Sequence, residues 1–83
     1  MRVLYFAWVR ERIGRDEDRL DPPPAVTTVA GLLDWMGRDD PVRAGAFADR
    51  TRLRAAADGR FVPLDAPIAG VSEIAIFPPV TGG

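Results

Sequence analysis

The segment VTTVAGLLDWMGRDD, residues 26–40, carries the clearest helix signal of the chain and decides how the rest of it packs. Its apolar residues recur at positions i, i+3, i+4 and i+7, which places them on one face of a helix. They are Val29, Leu32, Leu33 and Met36. Thr28 is a candidate N-cap and Gly37 a candidate stop. A single amphipathic helix must bury this face, so we predict that it packs across a sheet.

Strand patterns near the two ends of the chain supply that sheet. Residues 2–8, RVLYFAW, are rich in β-branched and aromatic side chains, and both faces of the predicted strand are apolar. Residues 73–77, EIAIF, alternate, so Ile74 and Ile76 should point inward and Phe77 the opposite way. Something other than the main helix must therefore cover the second face.

Shorter signals lie between these two strands. AWVRERIG, residues 7–14, fits a short helix closed by its glycine, and an edge strand is expected around Arg19 and Leu20. Asp40-Pro41 is typical of the N-cap and first position of another short helix.

Asp58-Gly59 is the strongest hairpin signal of the chain. It predicts strands at 52–57 and 60–64, with Pro63 marking an unpaired or bulged side of the second strand. The order strand, helix, strand, helix, helix, hairpin, strand predicts an α+β fold. Its outline is a ubiquitin-like β-grasp, in which a mixed four- or five-stranded sheet packs on one main helix with short additional helices. A ferredoxin-like split βαβ fold is the alternative, although it would need a stronger second amphipathic helix.

The composition limits the chemistry available to the side chains. A chain of 83 residues with 47% hydrophobic and 28% charged residues forms one globular domain. It has no Cys and no His, and all eleven basic residues are Arg, which excludes disulfides, thiolate nucleophiles, His-ligated metals and lysine Schiff bases. The net charge of -1 argues against nucleic acid as a partner. The opening apolar run is too short to span a membrane, so we expect a cytoplasmic protein.

The acidic cluster Asp16-Glu17-Asp18 lacks the spaced oxygen ligands and turn glycine of a calcium loop. We therefore interpret it as a solvated loop. The spacing of the carboxylates elsewhere does not indicate an internal active site.

Three phenylalanines fall in three different predicted strands. They are Phe6, Phe61 and Phe77. An apolar sheet face left uncovered on so small a domain predicts a protein partner. In the alternative, the phenylalanines close the core and Val3, Tyr5 and Ile76 form the exposed set.

The last seven residues, FPPVTGG at 77–83, form the second informative motif. Pro78 and Pro79 cannot donate to a sheet ladder, so the strand must stop and the chain must leave it stiffly. Gly82 and Gly83 have no side chains and give the tail a minimal cross-section. We predict a globular domain over 1–77 and an extended tail over 78–83.

A carboxylate on such a tail reacts only after activation. Adenylation by ATP would make it an acyl donor, and attack by a sulfide or persulfide would then leave a C-terminal thiocarboxylate that carries sulfur. Such a domain is a substrate and carrier rather than an enzyme, which agrees with its missing Cys, His and Lys.

The tail, the opening pattern VLYFAWVREXXG (Val3 to Gly14) and the hairpin spacing together resemble the small subunit of molybdopterin synthase, the MoaD family. The resemblance implies a ubiquitin-like sulfur carrier whose terminal Gly83 is adenylated by a MoeB-type activating enzyme and converted to a thiocarboxylate. The sulfur then passes to cyclic pyranopterin monophosphate, where it builds the molybdopterin dithiolene. The large subunit would supply the catalytic residues, in a heterotetramer of two small and two large subunits. A sulfur-donor protein is a further implied partner, and no permanently bound cofactor is implied beyond the ATP used by the activating enzyme.

The same resemblance implies roles for individual residues. Gly82, Thr81 and Val80 would enter the pocket of the large subunit behind the terminal glycine. The residues implied to meet the large subunit are Phe6, Phe61, Phe77, Pro78 and Pro79. The chain departs from the family pattern at Asp58, where many members have Asn, and at residues 70–73, where an Asp-Gly-Asp-Glu turn is replaced by Gly-Val-Ser-Glu.

Other functions share the terminal Gly-Gly. One is a sulfur carrier for thiamine or cysteine synthesis, and another is a ubiquitin-like modifier that forms isopeptide bonds. A plain interaction module with a disordered end is the third.

Overall fold

The computed structural model describes residues 1–79. Its elements follow the predicted order, with one 3-10 turn added before the hairpin. They are β1 (Arg2–Tyr5), α1 (Ala7–Ile13), β2 (Glu17–Arg19), α2 (Val29–Gly37), α3 (Pro41–Ala46), the 3-10 turn (Arg50–Arg52), β3 (Arg54–Ala57), β4 (Arg60–Val62) and β5 (Glu73–Phe77).

The strands form one sheet in the order β2-β1-β5-β3-β4. The central pair, β1 and β5, is parallel, while the other neighbouring pairs are antiparallel. Because parallel strands cannot be joined by a tight turn, the long connection between them crosses one face of the sheet and carries the helices. The result is the predicted α+β arrangement of a ubiquitin-like β-grasp, with five strands.

One hydrophobic core lies between the sheet and its helices. The predicted helical face of α2 is buried together with the inward side chains of β1 and β5, among them Val3, Ile74 and Ile76. Thr28 caps α2 as expected, since its side-chain oxygen accepts a hydrogen bond from the Gly31 N–H at 3.0 Å. Asp40 likewise caps α3 by accepting from the backbone N–H groups of the first turn.

The prediction of a strand over 2–8 is wrong beyond Tyr5. Phe6 is still extended and donates its N–H to the Ile76 carbonyl, but Ala7 has φ +54 and turns the chain into α1. The apolar residues at 7 and 8 therefore belong to a helix. That helix ends at Ile13 followed by Gly14, as predicted.

The hairpin forms at Asp58-Gly59, whose φ angles of 48 and 84 are those of the turn that the dipeptide favours. Its strands are shorter than the predicted 52–57 and 60–64. Asp49 caps a 3-10 turn that holds Arg52 out of β3, and β4 ends at Val62 because Pro63 has no N–H to donate.

α2 ends at Gly37, as predicted, although Gly37 is its last helical residue rather than a residue beyond the helix. A Cβ built on Gly37 would lie 3.0 Å from the Ala44 Cα. Glycine at this position therefore permits the close approach of α2 and α3.

The interpretation of 16–18 as a solvated loop is wrong for Asp18. Residues 17–19 form β2, and Asp18 is paired with Val3 and faces the core with 7% exposure. The Tyr5 hydroxyl donates to its Oδ2 at 2.6 Å, and the Arg43 Nε donates to the same oxygen at 3.1 Å. A strand places alternate residues on opposite faces. The position of Asp18 in β2 therefore turns its side chain inward, although the acidic composition of 16–18 had indicated an exposed loop.

Within residues 1–79, no helix combines the length and apolar character needed to cross a membrane. That same part of the chain contains no group of three or more carboxylates placed to hold a metal ion.

Candidate functional site at the outer sheet face

We call the side of the sheet opposite the helices the outer face. The strand register places a row of small and apolar side chains across it. Leu4 is opposite Ala75, Ala75 is opposite Ala56, and Ala56 is opposite Phe61. Residues directly opposite one another point to the same side, so this row crosses four strands without a charged side chain.

Phe61, the last residue of this row, lies beside Phe77 near one end of the sheet. The centroids of Phe61 and Phe77 are 5.6 Å apart, and the Phe61 side chain is 82% exposed. The rings border an open groove of about 420 Å³. The groove is lined by Arg54, Ala55, Phe61, Val62, Pro63 and Phe77. A large apolar side chain held this far out of the core is typical of a protein interface.

Phe6 lies near the same end of the sheet. Its N–H donates to the carbonyl of Ile76, the residue before Phe77, and its side chain is 45% exposed. Among residues 1–79, the rings of Phe6 and the other two phenylalanines do not pair. The structure thus brings Phe61 and Phe77 together and leaves Phe6 beside them.

The alternative in which the phenylalanines close the core is wrong. Val3, Tyr5 and Ile76 are all buried, and Phe77 lies in the alternating pattern of β5 on the side opposite Ile76. The phenylalanine that is buried in the core is Phe47, which follows α3. Its ring centroid lies 6.4 Å from that of Tyr5.

Pro78 and Pro79 follow β5 directly and are partly buried. The strand ends at Phe77, as the prolines predict. The remaining tail residues of the sequence prediction lie outside the described residues: Val80, Thr81, Gly82 and Gly83.

The turn before β5 joins the two positions at which the chain departs from the MoaD pattern. The Asp58 side chain accepts hydrogen bonds from the N–H groups of Ser72 at 3.1 Å and Glu73 at 3.0 Å. It therefore ties the hairpin to the first residue of β5. These bonds help to fix the strand from which the tail departs.

Sequence reasoning missed the buried ionic group formed by Tyr5, Asp18 and Arg43. Burial is the largest influence on the pKa of Asp18 and favours the neutral acid, but hydrogen bonds from Tyr5 and Arg43 outweigh it and hold that pKa below its ordinary value. Burial and the hydrogen bond to Asp18 raise the pKa of Tyr5. The group connects β2 with α3 on the helix side, away from the outer face. The period-two pattern of β2 could have revealed Asp18 as an inward residue.

Sequence reasoning also missed the arginines at the end of the sheet. Arg52 and Arg54 flank Leu53, which is fully buried, so both side chains point away from the core. The Arg52 guanidinium lies 4.4 Å from the ring centroid of Trp8. The alternation Arg52-Leu53-Arg54 could have predicted that both arginines point away from the core.

Comparison with known proteins identifies relatives along the whole chain. A family model described as the ThiS family matches residues 3–83. The molybdopterin synthase sulfur carrier subunit of Escherichia coli (strain K12) is 40% identical over 85 residues, covering 100% of this chain and 99% of that protein. The protein of the same name from Haemophilus influenzae is 34% identical, with 100% and 99% coverage. The crystal structure of small archaeal modifier protein 1 from Haloferax volcanii superimposes with a TM-score of 0.74 at 27% identity, covering 96% of this chain and 97% of that one.

Proposed function

The chain belongs to the ThiS family, and on this premise we propose that it is the sulfur carrier subunit of a molybdopterin synthase. The observation that carries the proposal is the 40% identity to a sulfur carrier subunit of that enzyme over 100% of this chain, a span that includes the FPPVTGG tail. The ubiquitin-like fold and the exposed apolar face beside the start of the tail are consistent with a domain that presents its C-terminus to other proteins.

The proposed chemistry takes place at Gly83, which must carry a free carboxylate. A carboxylate oxygen of Gly83 attacks the α-phosphorus of ATP on an activating enzyme and releases pyrophosphate. Sulfide, or the terminal sulfur of a donor persulfide, then attacks the acyl carbon and displaces AMP. With a persulfide, reduction of the resulting acyl disulfide by a thiol releases the thiocarboxylate.

The charged carrier then delivers its sulfur to the large subunit. We expect Val80, Thr81 and Gly82 to thread into that subunit, and the outer face with Phe6, Phe61, Phe77, Pro78 and Pro79 to hold the two proteins together. Each thiocarboxylate transfers one sulfur to cyclic pyranopterin monophosphate, so two charged chains supply the two sulfurs of the dithiolene. In each transfer, water hydrolyses the acyl–sulfur bond and returns Gly83 to a carboxylate. The large subunit contributes the catalytic side chains, in an assembly of two small and two large subunits. Because activation consumes ATP, we expect this cycle in the cytoplasm.

A second candidate function follows from the structural likeness to a small archaeal modifier protein, at a TM-score of 0.74. In that case, the adenylated Gly83 would be attacked by a lysine amine of another protein, and an isopeptide bond would form with loss of AMP. A carrier for thiamine or cysteine synthesis shares the first steps with the proposed function and differs only in the acceptor of the sulfur.

Intact mass tests whether the chain is charged with sulfur, the step that all the carrier functions share. The chain is incubated with the activating enzyme, ATP and a sulfur donor, and we expect a gain of about 16 Da as one oxygen is replaced by sulfur. A variant lacking Gly83 is the control, and it should keep its fold and remain unchanged in mass. An unchanged native chain under conditions that charge the E. coli relative would contradict the carrier function.

The charged chain is then mixed with the large subunit and the pterin precursor. Formation of the dithiolene product supports the molybdopterin pathway. Sulfur delivered only to thiamine or cysteine precursors, or a covalent adduct on a lysine-containing protein, would favour the corresponding alternative.

A further inference from the structure

We propose that Arg52 and Arg54 form a cationic rim that selects partner proteins with carboxylates at the edge of an apolar docking surface. This inference rests on the proposed function, because it concerns the proteins that receive the tail. It adds to the apolar outer face a charged element that recognises the edge of the partner.

The strand order places Arg54, one residue of this rim, at the end of the sheet where the tail begins. β1 and β5 are parallel, so the end of β1 and Phe77 lie at the same end of the sheet. β3 is antiparallel to β5, and its first residue, Arg54, is directly opposite Phe77. Arg54 therefore borders the groove beside Phe61 and Phe77. Phe77 is only two residues before Pro79, so this groove lies where the tail begins.

Both guanidinium groups are available to a partner. Within residues 1–79, neither Arg52 nor Arg54 forms an ion pair, whereas Arg2, Arg15, Arg19, Arg43 and Arg50 all do. Asp49, the carboxylate nearest in sequence to Arg52, accepts hydrogen bonds from the N–H and hydroxyl of Thr51. The hydrogen bonds from Thr51 are the main cause of its lowered pKa, to which the Arg52 charge adds without forming an ion pair. In the part of the chain that the structure describes, Arg54 donates to backbone carbonyls alone, including that of Leu53 at 2.8 Å.

Trp8 orders part of this rim. Arg52 lies over its ring at 4.4 Å, a distance at which an exposed cation and ring attract each other. A guanidinium held in this way loses less side-chain freedom when a carboxylate binds it.

Charge complementarity identifies the occupant as a different protein with an acidic edge. A second copy docking through the same face would bring the arginines of both copies to one interface. Among residues 1–79, the strands place two carboxylates on the outer face, Glu17 and Glu73, and these already pair with Arg19 and Arg2. Apolar contacts at the centre with opposite charges at the rim are the usual anatomy of a specific interface.

The test measures association of the uncharged chain with the molybdopterin synthase large subunit from the same organism, by stopped-flow fluorescence at low and high salt. Reversing both charges in Arg52→Glu/Arg54→Glu should slow association roughly tenfold or more at low salt, and the difference should shrink at high salt. The matched control is Arg12→Glu/Arg38→Glu, which makes the same change in net charge at two exposed positions elsewhere, one in α1 and one directly after α2. It should stay within about twofold of the native chain.

Conservative variants separate charge from packing. Arg52→Lys/Arg54→Lys keeps the charges and should retain most of the native rate at low salt, while thermal melting checks that every variant is folded. Equal slowing by the two charge-reversal pairs, or a native rate that does not depend on salt, would overturn the rim while leaving the carrier function intact. Self-association of the native chain through this face would also overturn it. If the native chain did not bind the large subunit at all, both the rim and the proposed function would be contradicted.

Discussion

The two faces of the sheet are built by the same five strands, but they differ in exposure to solvent. On the inner face, Val3, Ile74 and Ile76 are sealed beneath the helices, and on the outer face Phe61 remains 82% exposed. Both sets are apolar, so hydrophobicity does not distinguish them. The difference is that the crossover connection covers one face of the sheet only, and the helices leave the other uncovered.

The largest expected effect tests the inner face. Ile76→Ala should lower the free energy of unfolding by about 3 to 4 kcal/mol, because it removes a fully buried side chain and leaves a cavity. Urea denaturation measures it, with Phe61→Ala as the outer-face control. Similar losses of unfolding free energy for the two variants would contradict the conclusion that only the inner face is part of the core.

The next effect tests the polar edge of the inner face. Asp18→Asn should cost about 2 kcal/mol, because Arg43 loses its buried counter-charge. Asp16→Asn, at an exposed position of the same acidic cluster, is the matched control and should cost less than about 0.5 kcal/mol.

The same residue should contribute to acid denaturation. The pKa of Asp18 is lowered in the folded chain, so its stabilising contribution is present above the unfolded value, about 3.8, and is lost as pH falls through the folded pKa. Stability measured against pH should therefore fall less steeply in acid for Asp18→Asn than for the native chain. An unchanged slope would show that the ionised form of Asp18 gains nothing from folding.

A smaller effect is expected at the turn that positions β5. Asp58→Ala removes the acceptor for two backbone N–H groups and places alanine at φ +48, so we expect a loss of about 1 kcal/mol. Asp58→Asn keeps an acceptor and tolerates the left-handed conformation, and it should be nearly neutral. Equal losses would indicate that the hydrogen bonds are unimportant and that only the charge matters.

The smallest effect on stability is expected on the outer face. Phe61→Ala should change the free energy of unfolding by less than about 1 kcal/mol, because the ring is already in solvent. It should nevertheless weaken binding to the large subunit at least about tenfold, since exposed aromatic residues are frequent hot spots. Titration calorimetry measures the binding. A variant that binds normally would remove Phe61 from the interface.

Much of the fold could be predicted from the sequence because each signal is local. The apolar spacing of α2, the capping residues Thr28 and Asp40, and the Asp58-Gly59 turn all depend on neighbours along the chain. Element ends were less predictable. β1 was predicted to continue into 7 and 8 because apolar residues suit a strand as well as a helix, and only the turn at Ala7 separates them.

The candidate site divides in the same way. The sequence alone predicted that Phe61 and Phe77 share a surface, and the structure brings their rings together; the reactive role of the terminal glycines stays a prediction. The contact between Arg52 and Trp8 could not be predicted, because the two residues are 44 positions apart and meet only when the 3-10 turn and α1 are brought together.

By itself, the sequence determined the order of the elements, the side chains that share a face, and the chemistry open to a chain without Cys, His or Lys. Periodicity and composition are properties of the chain alone, so no partner strand is needed to establish them. Tertiary structure decided which face the helices cover, that Asp18 is buried against Arg43, and that Arg54 lies opposite Phe77, where the tail begins. These outcomes depend on strand pairing between distant residues, and the sequence contains no local signal of that register.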